Sequence, residues 1–246
     1  MGISIVMTSG KGGTGKTTCT AAIAEALALM GKKVLAVDCD VGLKNLDLAL
    51  GLTDRVLWDF GDVLSGRIGA KDAIIPHGEI AGLYFLSAPS GDMPDDIDPA
   101  AFSGLMTSLK EDYDYLLFDS PAGLGSGFRL AARGADMAIV VSTGDSSSLR
   151  DGQKTVAALS ALSVGDIRLL VNRVAPKNYR RINETIDDVI DAVGARLIGV
   201  ISEDNAVSLA ANLEKPLMLF GVKNTEGQFY RVARRITGER VFLARI

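Results

Sequence analysis

Nine residues constrain this chain more than any others: Gly10, Lys11, Gly12, Gly13, Thr14, Gly15, Lys16, Thr17 and Thr18 form one uninterrupted run. Gly10, Gly15, Lys16 and Thr17 satisfy the spacing G-x-x-x-x-G-K-[ST]. Only a glycine-rich turn lets the main chain bring several N–H donors close to the oxygens of a polyphosphate. Lys16 supplies a point charge for the β- and γ-phosphates, and Thr17 offers a hydroxyl to Mg²⁺. Before the run, residues 3–8 (ISIVMT) are apolar and β-branched, which suits a buried strand. After it, Ala22, Ile23, Ala26, Leu27 and Met30 recur at helical spacing. Strand, loop and helix in this order predict a nucleotide site rather than a bland glycine turn.

The remaining apolar runs extend that unit. Residues 34–38 (VLAVD), 83–88 (LYFLSA), 115–119 (YLLFD), 137–142 (MAIVVS), 167–172 (IRLLVN) and 197–201 (LIGVI) read as strands. Helical patterns fall between most of them, such as 99–109, 147–162 and 182–193. Strands this uniformly apolar are covered on both faces, so the predicted fold is α/β, a P-loop NTPase with a mostly parallel sheet and helices on both faces. Ligands of such sheets gather at the carboxyl ends of the strands, where the loop, Asp38 and Asp119 all fall. The 246 residues, 48% of them hydrophobic, suffice for one large core. The expected organisation is a single P-loop domain over 1–238 and a short tail over 239–246.

A net charge of −4 and a pI near 5.1 argue against a dominant nucleic-acid surface, which needs clustered Lys and Arg. Cys19 and Cys39 form no CxxC pair, so a metal or cluster site has no support and both thiols are expected reduced and buried. His77, the single histidine, reads as structural or solvated rather than catalytic. No stretch reaches the ~18 apolar residues of a membrane span. The N-terminal apolar run leads straight into the loop with no cationic region before it, so a cytoplasmic protein is expected.

Lys11 is a cation that an ordinary phosphate loop does not need, because Lys16 already serves the phosphates. The run KGGTGKTT resembles the deviant Walker A loop, whose family includes MinD, ParA, the flagellar-number regulator FlhG, the nitrogenase iron protein and iron–sulfur carrier ATPases. The resemblance implies an ATP phosphohydrolase using ATP and Mg²⁺, in which Lys11 reaches the partner's nucleotide across a dimer interface. Asp119, followed by Ser-Pro-Ala and Gly123, resembles the family's switch II. Asp119 matches a Walker B aspartate, joining Thr17 and Asp38 at the Mg²⁺, and Gly123 places an N–H near the γ-phosphate. In-line attack needs a group that orients water and takes its proton. By resemblance to switch I that group is Asp40, with Lys11 and Lys16 as the other catalytic residues. Asn45, in the same switch, would respond to the partner subunit; a helix N-cap role for Asp40 or Asn45 stands beside these readings. Asn172 ends a strand with an amide able to meet both edges of adenine, and the resemblance supports it as the base reader. Ser202 stands where the family pattern has proline.

The switch run GLKNLD and the segment Ser147, Ser148, Leu149, Arg150, Asp151 are most similar to the MinD branch. That likeness implies an ATP-dependent homodimer placing the division septum, with Asn45 at the interface between its subunits and Ser147, Ser148 and Asp151 facing a MinE-like activator and a MinC-like inhibitor. The residues alone say only that Ser147 or Ser148 could cap a helix. The branch also implies a C-terminal amphipathic helix lying on the inner face of the cell membrane in the ATP state. At 100° per residue Phe242, Leu243 and Ile246 share one side, with Arg240 and Arg245 outside it. A tail that docks on the core is the other reading. An alternative function, DNA partition or flagellar-number control in the manner of ParA or FlhG, is disfavoured by the acidic pI, the switch run and the tail.

Overall fold

Successive residues of the first strand point into two different cores. β1 (Ile3–Thr8) sends Ile5 and Met7 to one side and Val6 to the other, the two-residue period of a strand covered on both faces. The computed structural model describes residues 1–41, 43–89, 97–175 and 185–243. Its strands continue as β2 (Val34–Asp38), β3 (Ile75–Pro76), β4 (Leu83–Leu86), β5 (Tyr115–Asp119), β6 (Met137–Ser142), β7 (Asp166–Val174) and β8 (Arg196–Ser202). They form one sheet in the order β3-β4-β2-β5-β1-β6-β7-β8. Only the β3–β4 pair is antiparallel, at an edge where Pro76 costs no ladder bond.

Helices α1 (Lys16–Leu29), α2 (Leu46–Ala49) and, late in the chain, a helix over Lys223–Ile236 pack on the face that receives Ile5 and Met7. The opposite face carries α3 (Phe60–Leu64), α4 (Ala70–Ala73), α5 (Pro99–Leu109), α6 (Ser126–Ala132) and α7 (Ser146–Ala161). There Phe102 meets Phe60 edge-on at 5.1 Å between ring centres. α8 (Ile186–Val193) covers the outer strands β7 and β8. α9 (Asn205–Asn212) follows β8, and the Lys223–Ile236 helix is α10. The helix pattern at 182–193 is observed from Ile186 onward, while 182–184 lie outside the described residues. The other predicted strands and helices agree with the observed ones to within two residues at each end.

Three features of the fold bear directly on the site. α1 opens at Gly15, which has a left-handed φ of 85°, and no side chain caps its first turn, so its leading N–H groups face the loop. His77 is structural: Nδ1 accepts from the N–H groups of Glu79 and Ile80, so Nε2 carries the proton and donates to the Leu50 carbonyl. Burial, the leading cause, holds its pKa below the usual value. Cys19 and Cys39 are free and buried, and burial pushes both thiols up.

Of the expected amphipathic tail, residues 239–243 lie among the described residues. α10 stops before Gly238 (φ 89°), and residues 239–243 continue without helix. Isolated helices of two turns do not form without a surface to pack on. Arg235 donates from Nε and Nη2 to the Val241 carbonyl and from Nη1 to the Ile198 carbonyl, pinning the chain to the core as far as 241. Phe242 then projects with 94% of its surface exposed, and Leu243 is also exposed. Ile246 and Arg245 lie outside the described residues. No described helix is long and apolar enough to cross a membrane.

Candidate nucleotide-binding site

The parallel registers fix the centre of the site. β2, β5 and β1 lie side by side with Asp38 opposite Asp119 and Met7 beside Asp119. Two carboxylates therefore end adjacent strands where the 10–18 loop leaves β1. Asp119 is almost wholly buried and fully engaged. Oδ1 accepts from Lys16 Nζ at 2.8 Å and Thr20 Oγ1 at 2.9 Å, and Oδ2 accepts from Thr17 Oγ1 at 2.7 Å. Lys16 and Asp119 thus form a buried ion pair.

Asp38 behaves differently from its neighbour. Its Oδ1 accepts from the Asp40 N–H at 2.8 Å and its Oδ2 from the Leu46 N–H at 3.2 Å. Both oxygens hold the backbone that carries Asp40 and starts α2, so Asp38 shapes the first switch. Burial raises its pKa to about 7, with the nearby Asp119 charge adding to the shift. Asp40 and Asn45 line an open cleft of about 550 Å³ together with Lys11, Gly13, Lys16 and Thr17. Asn45 stands at the N-cap position of α2, yet its side chain makes no cap bond. Asp40 accepts from the Leu43 N–H at 3.3 Å, a turn interaction rather than a helix cap.

The loop glycines each have a separate reason. Gly13 and Gly15 hold left-handed φ values of 80° and 85°. A Cβ on Gly10 would come within 2.5 Å of Asp151 Cβ, so α7 presses against the start of the loop. A Cβ on Gly12 or Gly13 would meet nothing, which leaves room for a ligand over the loop. The donor set fits a polyphosphate with Mg²⁺: open N–H groups at a helix start, a lysine, and the oxygens of Thr17 and Asp119. Thr14 is buried with no partner for its hydroxyl among the described residues, and Thr18 reaches the cleft from α1.

Gly123 (φ 84°) sits as expected beside the loop, but its N–H donates to the Ser9 carbonyl at 3.1 Å rather than facing the cleft. Asn172 lies behind the loop, donating from Nδ2 to the Thr14 carbonyl at 2.8 Å. It lines a second cavity of about 210 Å³ with Gly15, Thr18, Ser202 and Phe229, a position suited to a base.

α7 departs from expectation at its start. Asp145, which spacing did not single out, is the N-cap and accepts from the Ser148 N–H at 3.0 Å. Ser148 is buried, bonded to Ser142 Oγ and the Thr143 N–H, so it braces the turn instead of facing a partner. Ser147 is exposed and Asp151 half-buried against Gly10. Lys11 Nζ contacts both oxygens of Asp145, at 2.9 and 3.1 Å. Burial pushes the Asp145 pKa up, but bonds from Thr143, Lys11 and the Ser148 N–H outweigh it and hold the value near 2.

This fold recurs in known proteins along nearly the whole chain. Residues 5–217 match the CobQ/CobB/MinD/ParA nucleotide binding domain. The septum site-determining protein MinD of Bacillus subtilis is 37% identical over 248 residues, covering 98% of this chain and 91% of that protein. The MinC:MinD cell division protein complex of Aquifex aeolicus gives a TM-score of 0.92 at 36% identity, covering 99% of this chain and 98% of that one. MinD of Pyrococcus horikoshii, complexed with Mg-ADP, gives 0.83 at 31% identity and covers 96% of each chain. A loop, two acidic strand ends and a matched fold over this length leave one assignment: the chain belongs to the MinD branch of the CobQ/CobB/MinD/ParA family of Mg²⁺-dependent ATPases.

Proposed function

We propose that this chain is an ATP-driven dimerisation switch that places the division septum, binding the membrane surface and a MinC-type inhibitor in its ATP state. A MinE-type activator then times release through hydrolysis. One observation carries this reading: α7 is seated directly on the phosphate loop. Gly10 packs on Asp151 and Lys11 pairs with Asp145, so a change in the loop moves the exposed α7 face around Ser147. A readout helix on the nucleotide loop is what a nucleotide-gated partner surface requires.

The residues divide the work as follows. Lys16 exchanges Asp119 for the phosphates, and Thr17 with Asp119 holds the Mg²⁺, Asp38 keeping the first switch in place. When bound there, Mg²⁺ would supply charge neutralisation to the phosphates. Gly123 turns its N–H from Ser9 toward the γ-phosphate. Asp40 orients the attacking water and takes its proton. Lys11 leaves Asp145 to complete the partner's site, and Asn45 follows across the interface.

Co-sedimentation with anionic liposomes and retention of duplex DNA, each in ATP and in ADP, separate this reading from a DNA-partition role. ATP-dependent sedimentation without DNA retention is expected. ATP-dependent DNA retention with no liposome binding would overturn the septum reading.

A further inference from the structure

Two amide side chains at the cavity behind the loop have orientations that the backbone dictates. The Ser202 N–H can only donate, and it meets Gln228 Oε1 at 2.9 Å. Gln228 Nε2 must then face Ser202 Oγ, at 2.8 Å, and having only protons it makes that hydroxyl an acceptor. The Ser202 proton is therefore turned away from Gln228, and among the described residues it meets no acceptor. Gln228 is 3% exposed on α10, so packing locks the clasp. Asp204, two residues on, is tied to the same helix by Thr225 Oγ1 at 2.7 Å. On the opposite wall the Thr14 carbonyl can only accept. It fixes Asn172 Nδ2 and leaves Asn172 Oδ1 as the acceptor offered to the cavity.

Among the polar groups lining the cavity, which include Arg173 and Asn205, the Ser202 hydroxyl keeps a proton to donate and Asn172 Oδ1 is a fixed acceptor. Adenine carries an exocyclic N6 amine that donates, flanked by N1 and N7, which accept. Guanine presents an oxygen in place of N6 and a proton on N1. We propose that Ser202, aimed by Gln228, is a base-reading residue. It donates a hydrogen bond to N1 or N7 of adenine while Asn172 Oδ1 accepts from N6. This assignment rests on the nucleotide site proposed above and adds the reason for choosing adenine. A site whose polar groups are already oriented rejects a base with the reversed pattern by leaving its buried groups unpaired.

The test measures equilibrium binding of ATP, 7-deaza-ATP and 1-deaza-ATP to the wild type, Ser202→Ala and Ser202→Thr. In the wild type one of the two deaza nucleotides should bind about fivefold more weakly than ATP, the scale of one net hydrogen bond. That same analogue should bind Ser202→Ala as tightly as ATP does, and Ser202→Thr, which keeps the hydroxyl, should restore the difference. Tight ATP binding with both analogues equal to ATP in the wild type would overturn the base-reading role alone. So would an equal loss in wild type and Ser202→Ala. Failure of the wild type to bind ATP at all would instead overturn the nucleotide site, and this assignment with it.

Discussion

Lys11 Nζ lies 2.9 Å from Asp145 Oδ1, so the lysine assigned to a second chain's nucleotide is held within its own chain at the cap of α7. Both side chains are partly exposed, and such a pair contributes only about 0.2–1 kcal/mol. That is weak enough for a phosphate in trans to displace it, and strong enough to bias the equilibrium. Asp145→Asn keeps a good N-cap and removes the charge. Each dimer frees two such pairs, so the expected result is an ATP-dependent dimer forming at up to about thirtyfold lower protein concentration. A midpoint that stays put or rises would show that the pair does not compete with dimerisation.

The two loop lysines should fail in different assays. Lys16→Ala removes the charge that meets the ground-state phosphates and should abolish ATP binding by fluorescence or calorimetry. Lys11→Ala should still bind ATP but lose turnover, because its contribution comes only in the assembled dimer. Inserted cations are worth roughly 10³–10⁵ in rate in related phosphoryl transfer, and slow basal hydrolysis makes the measurable drop smaller. Normal turnover in Lys11→Ala would remove its assignment as a catalytic residue.

Glu25 gives a pH dependence unrelated to the chemistry. It is fully buried in α1, accepts from the Met218 N–H at 2.9 Å, and keeps its Oε1 without a partner among the described residues. Burial raises its pKa from 4.5 to about 8, against the lowering effect of the Met218 and Leu217 N–H groups. The folded state thus binds this proton more tightly than the unfolded state. Its stabilisation is complete below pH 4.5 and fades as pH rises toward 8. Asp38 acts with the same sign, but its loss ends near pH 7. Denaturant melts should therefore show wild type falling relative to Glu25→Gln between pH 7 and 8, since glutamine keeps the acceptor without the charge. Parallel curves over that interval would mean the carboxyl is ionised in the fold.

Much of the fold was legible in the sequence because it is carried by short-range pattern. The 10–18 loop, Asp38 and Asp119 needed only a motif and the ends of apolar runs. α10 was equally legible in principle, since Thr225, Phe229, Val232 and Ile236 recur at helical spacing and are buried. The rest depends on contacts far apart in sequence. Nothing near Lys11 announces Asp145, 134 residues on. Spacing cannot say which of four consecutive residues, Asp145 to Ser148, caps α7, because each type is a good cap. Ser202 stood out in the sequence only as a departure from the family's proline, and nothing near it announces Gln228, which arrives from α10.

Phe242 is, among the described residues of the C-terminal segment, the one best placed to enter a lipid surface. Full burial of such a side chain contributes at most about 1.5–3 kcal/mol, and partial insertion less. One tail is then a weak anchor, and a dimer strengthens it by bringing a second copy to the same surface. Phe242→Glu should abolish ATP-dependent sedimentation with anionic liposomes while leaving ATP binding unchanged, and raised salt should weaken the wild type through Arg240. Undiminished sedimentation of Phe242→Glu would place the membrane contact elsewhere on the chain.

The proposed switch works only if ATP brings two chains together. Light scattering on Asp40→Ala with Mg²⁺, in ATP and then in ADP, measures this most directly, because blocked hydrolysis holds the ATP state long enough to weigh. The account predicts twice the mass of one chain in ATP and a single chain in ADP. Equal masses in the two nucleotides would contradict it.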